Sequence, residues 1–253
     1  MGGAVEAGPW VMPNEIVDKQ GWNGAIFGYA GAGKTSLAAS APKPCIVDVD
    51  GTAARSLLGL NVPVIPHARV DSWAKLEKMH RYLSTQKHPF ETICWDTVTS
   101  MYKYALQDVV GAPLSAQQPR QNDWGKANAL INEILETWCD LARSTGINVL
   151  FNVHVKEVLD DEGKLNRLQM DLTPGVLSTM YRVTDTIGYI RELSNAALGT
   201  RKFQLLLRSD SKIVAKHHQP QTGSSVIALE HDDPNLSKII PATRTENTSA
   251  SNR

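Results

Sequence analysis

Gly28-Tyr29-Ala30-Gly31-Ala32-Gly33-Lys34-Thr35 is the stretch from which the rest of the chain can be read. Its glycines let the backbone curl tightly enough to aim successive N–H groups at one point, because a residue without Cβ accepts positive φ at little cost. Such an array suits a phosphate chain. Lys34 adds a point charge for the β- and γ-phosphates, and the Thr35 hydroxyl is a ligand for Mg2+. The flanks fit the motif: an apolar run, Ala25–Phe27, enters the loop as a strand, and Lys34–Ser40 leaves it as a helix whose positive end faces the phosphates. The predicted nucleotide-binding set is Gly28, Tyr29, Ala30, Gly31, Ala32, Gly33, Lys34, Thr35 and Ser36, with ATP and Mg2+ as ligands.

Outward from the loop, short apolar runs alternate with helical patterns. Cys45–Val49 and Thr92–Trp95 read as buried strands. Asp71–Leu83 spaces Trp73, Leu76, Met79 (or His80) and Leu83 as a helix, with Asp71 as its cap. A helix follows Trp95 through about Val109, and Trp124–Ser144 predicts a long amphipathic one with Leu130, Ile134, Leu135, Trp138 and Leu141 inward. After the strand Asn148–Val153 the pattern changes to paired extended segments, with turns near Asp161–Lys164 and Ala197–Thr200. The fold class is therefore α/β: a mainly parallel sheet flanked by helices, with antiparallel strands added at one edge. Residues 1–20 read as an arm, 21–242 as the core and 243–253, which lack apolar side chains, as a disordered tail.

A phosphate loop needs an acid on a neighbouring strand end to hold the metal. Glu91-Thr-Ile-Cys-Trp-Asp96-Thr97 supplies one, with Asp96 either holding Mg2+ through water or capping the next helix. Hydrolysis further needs a carboxylate to orient water. Cys45-Ile-Val-Asp48-Val-Asp50 ends in two acids; strand alternation puts both on one face, with Asp50 nearer the phosphates. They serve that role or are ordinary turn acids.

The order of these motifs, followed by Val149-Leu-Phe-Asn-Val-His154, resembles the RecA-like core ATPases. Within them it is most similar to the small phage-encoded single-domain type associated with single-strand DNA annealing and recombination. The resemblance runs from about Gly24 to Gln219. It implies an ATPase with Asp50 as general base, where RecA proteins usually carry Glu. It implies His154 as a polar sensor of the γ-phosphate, a position that a hydrogen-bonded strand-end histidine also fits. It implies a homo-oligomer with nucleotide at subunit interfaces, and as partners single-stranded DNA and a phage annealing or single-strand-binding protein. In Ile213-Val-Ala-Lys216-His-His218 it implies a trans-acting cation at Lys216, which otherwise reads as a solvated edge-strand lysine.

DNA-facing loops implied by the same resemblance are Gly111–Asp123 and Lys156–Leu172. The second carries three basic against five acidic residues, a poor surface for phosphates. Arg201–His218 is better, with Arg201, Lys202, Arg208, Lys212 and Lys216 against Asp210, either a DNA contact or a solvated face. Trp73 and Trp124 serve as base-stacking residues or, more in keeping with tryptophan, as core.

Composition bounds these readings. At 253 residues with 42% hydrophobic and 21% charged side chains, the chain fits one globular domain. A formal net charge of zero argues against coating nucleic acid by bulk electrostatics. Cys45, Cys94 and Cys139 form no metal-binding or disulfide pattern and read as buried reduced thiols. No basic segment precedes an apolar run at the N-terminus, and no stretch approaches the ~18 apolar residues of a membrane helix. The expectation is a cytoplasmic protein with no membrane partner.

Overall fold

The computed structural model describes residues 20–195, 200–217 and 230–240. Strand β1 (Asn23–Gly28) is followed by α1 (Lys34–Ala39), β2 (Pro44–Asp48), α2 (Ala53–Ser56), β3 (Val64–Ile65), α3 (Trp73–Thr85), β4 (Thr92–Asp96) and α4 (Val98–Val110). Next come α5 (Gln121–Thr145), β5 (Asn148–Leu159), β6 (Leu165–Met170), α6 (Pro174–Val183), β7 (Thr186–Asn195), β8 (Thr200–Leu206), β9 (Lys216–His217), β10 (Glu230–Asp232) and α7 (Leu236–Ile239).

The strands β7-β1-β5-β4-β2-β3 lie parallel in that order. β8 and then β10 continue the sheet antiparallel beyond β7, and β9 pairs with the same edge of β7 at Thr186 and Ile187. The mainly parallel sheet with antiparallel edge strands is the predicted class. β5 runs past its predicted end at Val153 to Leu159 and pairs with β6 in a hairpin. At the predicted turn Asp160 Oδ1 accepts from the N–H groups of Glu162 and Lys164, with Gly163 at φ 75°.

Each central strand is apolar on both faces, so each face needs helical cover. Ala25, Phe27, Val47, Ile93, Trp95, Val149 and Phe151 pack under α3, α4, α5 and α6. The opposite parity, with Ile26, Ile46, Cys94 and Leu150, packs under α1, α2 and α7. Alternation along the strands assigns Asp96, Asn152 and His154 to this second face, the one that α1 covers as it leaves the glycine-rich loop. Cys45, Cys94 and Cys139 are free and buried; burial pushes the thiols of Cys45 and Cys139 up to about 12, and that of Cys94 well above the usual range.

The structure corrects several local expectations. α3 starts at Trp73 behind Ser72, and Asp71 does not cap it but pairs with Lys75 at 2.7 Å on the surface. α5 starts three residues before Trp124, at Gln121, because the Asp123 carboxylate accepts from the Arg120 N–H at 2.8 Å and fixes the first turn there. Trp73 is core, whereas Trp124 is 42% exposed and stacks on Tyr102, with centroids 6.2 Å apart at 19°. Among the described residues no helix is long and apolar enough to cross a membrane. The arm before Gln20, the tail from Thr243, the turn residues Ala197–Gly199 and His218 lie outside the described residues.

Candidate functional site

The loop after β1 closes through the backbone. Ala32 N–H donates to Tyr29 O at 3.2 Å, and Leu37 N–H to Gly33 O at 2.8 Å as α1 begins. Gly31 and Gly33 take φ of 79° and 90°, where a side chain would be strained. Lys34 is buried and its Nζ donates to the carbonyls of Gly28 (2.9 Å) and Tyr29 (3.0 Å), so it lies across the loop. Burial lowers its pKa, against the pull of Asp96 and Asp50. Tyr29, at the exposed crest, donates its hydroxyl to Glu157 on β5, which holds the phenol up at about 12.

Parallel register sets the other groups beside the loop. Gly28 is level with His154, and Asp96 with both Asp48 and Asn152, at the carboxyl ends of the strands where ligands of open α/β sheets sit. Thr35 Oγ1 donates to Asp96 Oδ2 at 2.6 Å. Burial raises the Asp96 pKa; the Thr35 hydroxyl, the Asn152 amide and Lys34 work against that, and Asp50 adds to it. Asn152 is fully buried there with neither amide atom in a well-formed hydrogen bond, so it eases Asp96 only weakly. Asp96 does not cap α4; Thr97 does, its Oγ1 accepting from Ser100 N–H at 3.4 Å.

The two acids after β2 separate completely. The strand ends at Asp48, and the N–H groups of Val49 and Asp50 both turn onto Asp96 O, so the alternation that put Asp48 and Asp50 on one face no longer applies. Asp48 is buried, with Oδ1 accepting from Gly51 (2.8 Å) and Thr52 (3.1 Å) N–H groups and Oδ2 from that of Ala53 (3.1 Å). It ties down the start of α2. Asp50 instead faces the cleft: Thr97 Oγ1 donates to its Oδ1 at 3.0 Å, and His154 Nε2 meets its Oδ2 at 3.0 Å. Burial works to raise the Asp50 pKa, yet the hydrogen bonds of His154, Ser100 and Thr97 and the charge of His154 hold it below the usual carboxylate range. His154 is itself anchored, its N–H donating to Thr99 Oγ1 at 3.1 Å and its carbonyl accepting from Asp171 N–H at 2.8 Å.

Gly31, Gly33, Lys34, Thr35, Ser36, Asp50, Asp96 and His154 line one cleft of about 540 Å³. Lys216 is not among them. It pairs beside Ile187, which is level with Ala25 at the far end of β1, and its Nζ donates to Tyr181 O at 2.5 Å. Thr97, Asn152 and Phe203 were not picked out from the sequence. A polar residue inside the apolar run Val149–Val153 was a usable signal for Asn152; nothing local marks Phe203, which reaches the cleft from β8.

Thr35 and Asp96 offer a hydroxyl and a carboxylate at hydrogen-bond distance, a hard-oxygen pair of the kind Mg2+ accepts while keeping waters. Among the described residues no group of three or more His, Cys, Asp or Glu side chains forms a ready-made metal cage.

No curated protein matches the chain. A family model described as AAA domain matches residues 20–238, from the first described residue into α7. A glycine loop closed on β1 and strand-end acids in register with it are the parts a nucleotide-binding P-loop domain requires, and the chain belongs to the AAA-domain family of P-loop ATPases.

Proposed function

We propose that the chain is a Mg2+-dependent ATPase that acts on single-stranded DNA in phage recombination or annealing. The observation that carries the hydrolytic part is the convergence of Lys34, Thr35, Asp96 and Asp50 on one cleft. Lys34 swings from the Gly28 and Tyr29 carbonyls onto the β- and γ-phosphates. Thr35 and Asp96 would hold Mg2+, which would supply positive charge against the charge that develops on the phosphoryl group. Asp50, kept ionised by its partners, orients the attacking water and accepts its proton. His154 positions Asp50 and exchanges that contact for the γ-phosphate. The DNA part rests on the resemblance of the motif order, on the exposed Trp124–Tyr102 stack, and on exposed Lys202, Arg208 and Lys212. Arg201 gives backbone to β8, while its side chain lies outside the described residues.

One observation favours a second reading, a nucleotide-gated assembly switch with little hydrolysis. Each Asp50 oxygen already accepts a hydrogen bond, from Thr97 or from His154, which leaves the carboxylate fewer lone pairs with which to hold and deprotonate a water. ATP turnover measured with and without single-stranded DNA separates the two. Stimulated turnover that Lys34→Ala or removal of Mg2+ abolishes supports the ATPase. Tight ATP binding with no turnover under any condition supports the switch, and wild-type turnover by a folded Lys34→Ala protein defeats both.

A further inference from the structure

We propose that Phe203 is the platform on which the base of the bound nucleoside triphosphate stacks. The proposal rests on the phosphate-loop reading and extends it to the half of the nucleotide that the glycine-rich loop does not hold.

Three observations place the ring. On β8, alternation sends Phe203 and Leu205 to the face covered by α1; Leu205 is buried there and Phe203 is only partly buried against the same cluster. Register carries Phe203 past the end of β1. β7 pairs Tyr189 with Phe27, the residue before Gly28, and pairs Glu192 with Phe203, so the ring stands level with the loop. The close approach of the two agrees with that: a Cβ built on Gly33 would meet Phe203 Cδ1 at 3.0 Å and Cε1 at 3.1 Å, so the ring lies flush against the loop backbone. Gly33 is thus required twice, by its φ of 90° and by the ring beside it.

The chemistry of the cleft narrows what the ring is for. Among the described residues lining it, the others are Ala30, the glycines and polar or charged side chains, so Phe203 supplies the large apolar face. Phe203 lines this otherwise polar cleft and is only partly buried, so part of its apolar surface stays in water, and a flat base laid on that surface removes the area and gains stacking. The strand beneath is fixed on both sides, by β7 and by Asp233 N–H donating to Phe203 O at 2.8 Å. The platform is therefore held in place before a nucleotide arrives. A phenyl ring reads the face of a base and not its edge, so purines should be favoured over pyrimidines by contact area alone.

The test compares ATP with inorganic tripolyphosphate, which has the phosphates and no base, in equilibrium binding to the full chain with Mg2+. Phe203→Ala should weaken ATP roughly five- to 150-fold, the range for removing an aromatic stacking partner, and leave tripolyphosphate unchanged. Phe203→Trp should restore ATP binding. Equal losses for both ligands would mean that the ring only props the loop, and an unchanged ATP affinity would mean that it does nothing for the base; either overturns the proposal. Phe203→Leu, which keeps apolar volume without a ring face, gives the same readout should the Ala variant not fold. Lys34→Ala serves as the separate control. It should weaken both ligands, and its failure to do so would strike the phosphate-loop reading, whatever Phe203 shows.

Discussion

Asp48 and Asp50 are two residues apart and their replacement should fail in opposite ways. Asp48 accepts three backbone N–H bonds while buried, so Asp48→Ala strands donors at the start of α2. Urea unfolding should register a loss of about 1–3 kcal/mol, with the folded remainder still turning over ATP. Asp50→Asn should bind Mg2+ and ATP nearly normally and turn over roughly 10²–10⁴-fold more slowly, as for other general bases. Stable, inactive Asp48→Ala together with fully active Asp50→Asn would exchange their roles. The residues of the loop, Gly28 to Ser36, were legible because their chemistry is contiguous: spacing alone specifies the curl, the charge and the hydroxyl. The Asp50–Thr97–His154 contacts were not, since the chain leaves its strand geometry after Asp48 and alternation stops predicting direction there.

Among elements, α7 is the least visible in the sequence and one of the more consequential in the fold. Its four residues are too few for any periodicity to announce. Yet Leu236 is fully buried beside α1, its N–H donates to Ser40 Oγ at 2.9 Å, and the Ser237 N–H donates to Ser40 O at 3.1 Å. The segment thus clamps the C-terminal end of the helix that begins at Lys34. Leu236→Ala should cost about 2–5 kcal/mol in chemical unfolding, and Ser40→Ala about 1. A Leu236→Ala protein as stable as wild type would show that the clamp is not seated in solution. α5 makes the complementary case. Its long amphipathic pattern gave the helix and its buried Ile134, Leu135 and Trp138, but not its start, which a side chain outside that pattern, Asp123, sets.

At the scale of the molecule, neutrality over 253 residues means that any DNA affinity comes from local arrangement. If the exposed Lys202 and Lys212 neutralise phosphates, replacing both with Ala should flatten the salt dependence of single-stranded DNA binding by about 0.7 for each lysine removed. Trp124→Ala should weaken that binding without changing the salt slope, since stacking releases no counterions. Binding unaffected by all three changes would move the DNA surface elsewhere. Strand order was legible as a class, because alternating strands and helices imply a parallel sheet. The meeting of Asp50 with His154, 104 positions along the chain, exists only once β4 and β5 have been laid between β2 and β1.

That dependence can be timed, because the buried cysteines act as a built-in clock. Cys45 and Cys139 report from the face under α3–α6 and Cys94 from the face under α1, and none can present a thiolate to solvent until its layer parts. A thiol reagent added to the native protein should therefore react only as fast as each layer opens, with no engineered probe needed. Because ATP binds only the assembled cleft, it should slow the Cys94 reaction in proportion to its occupancy. Three thiols that react at once in native buffer would show that the two layers are not closed. Three distinct rates would reveal which side of the sheet lets go first.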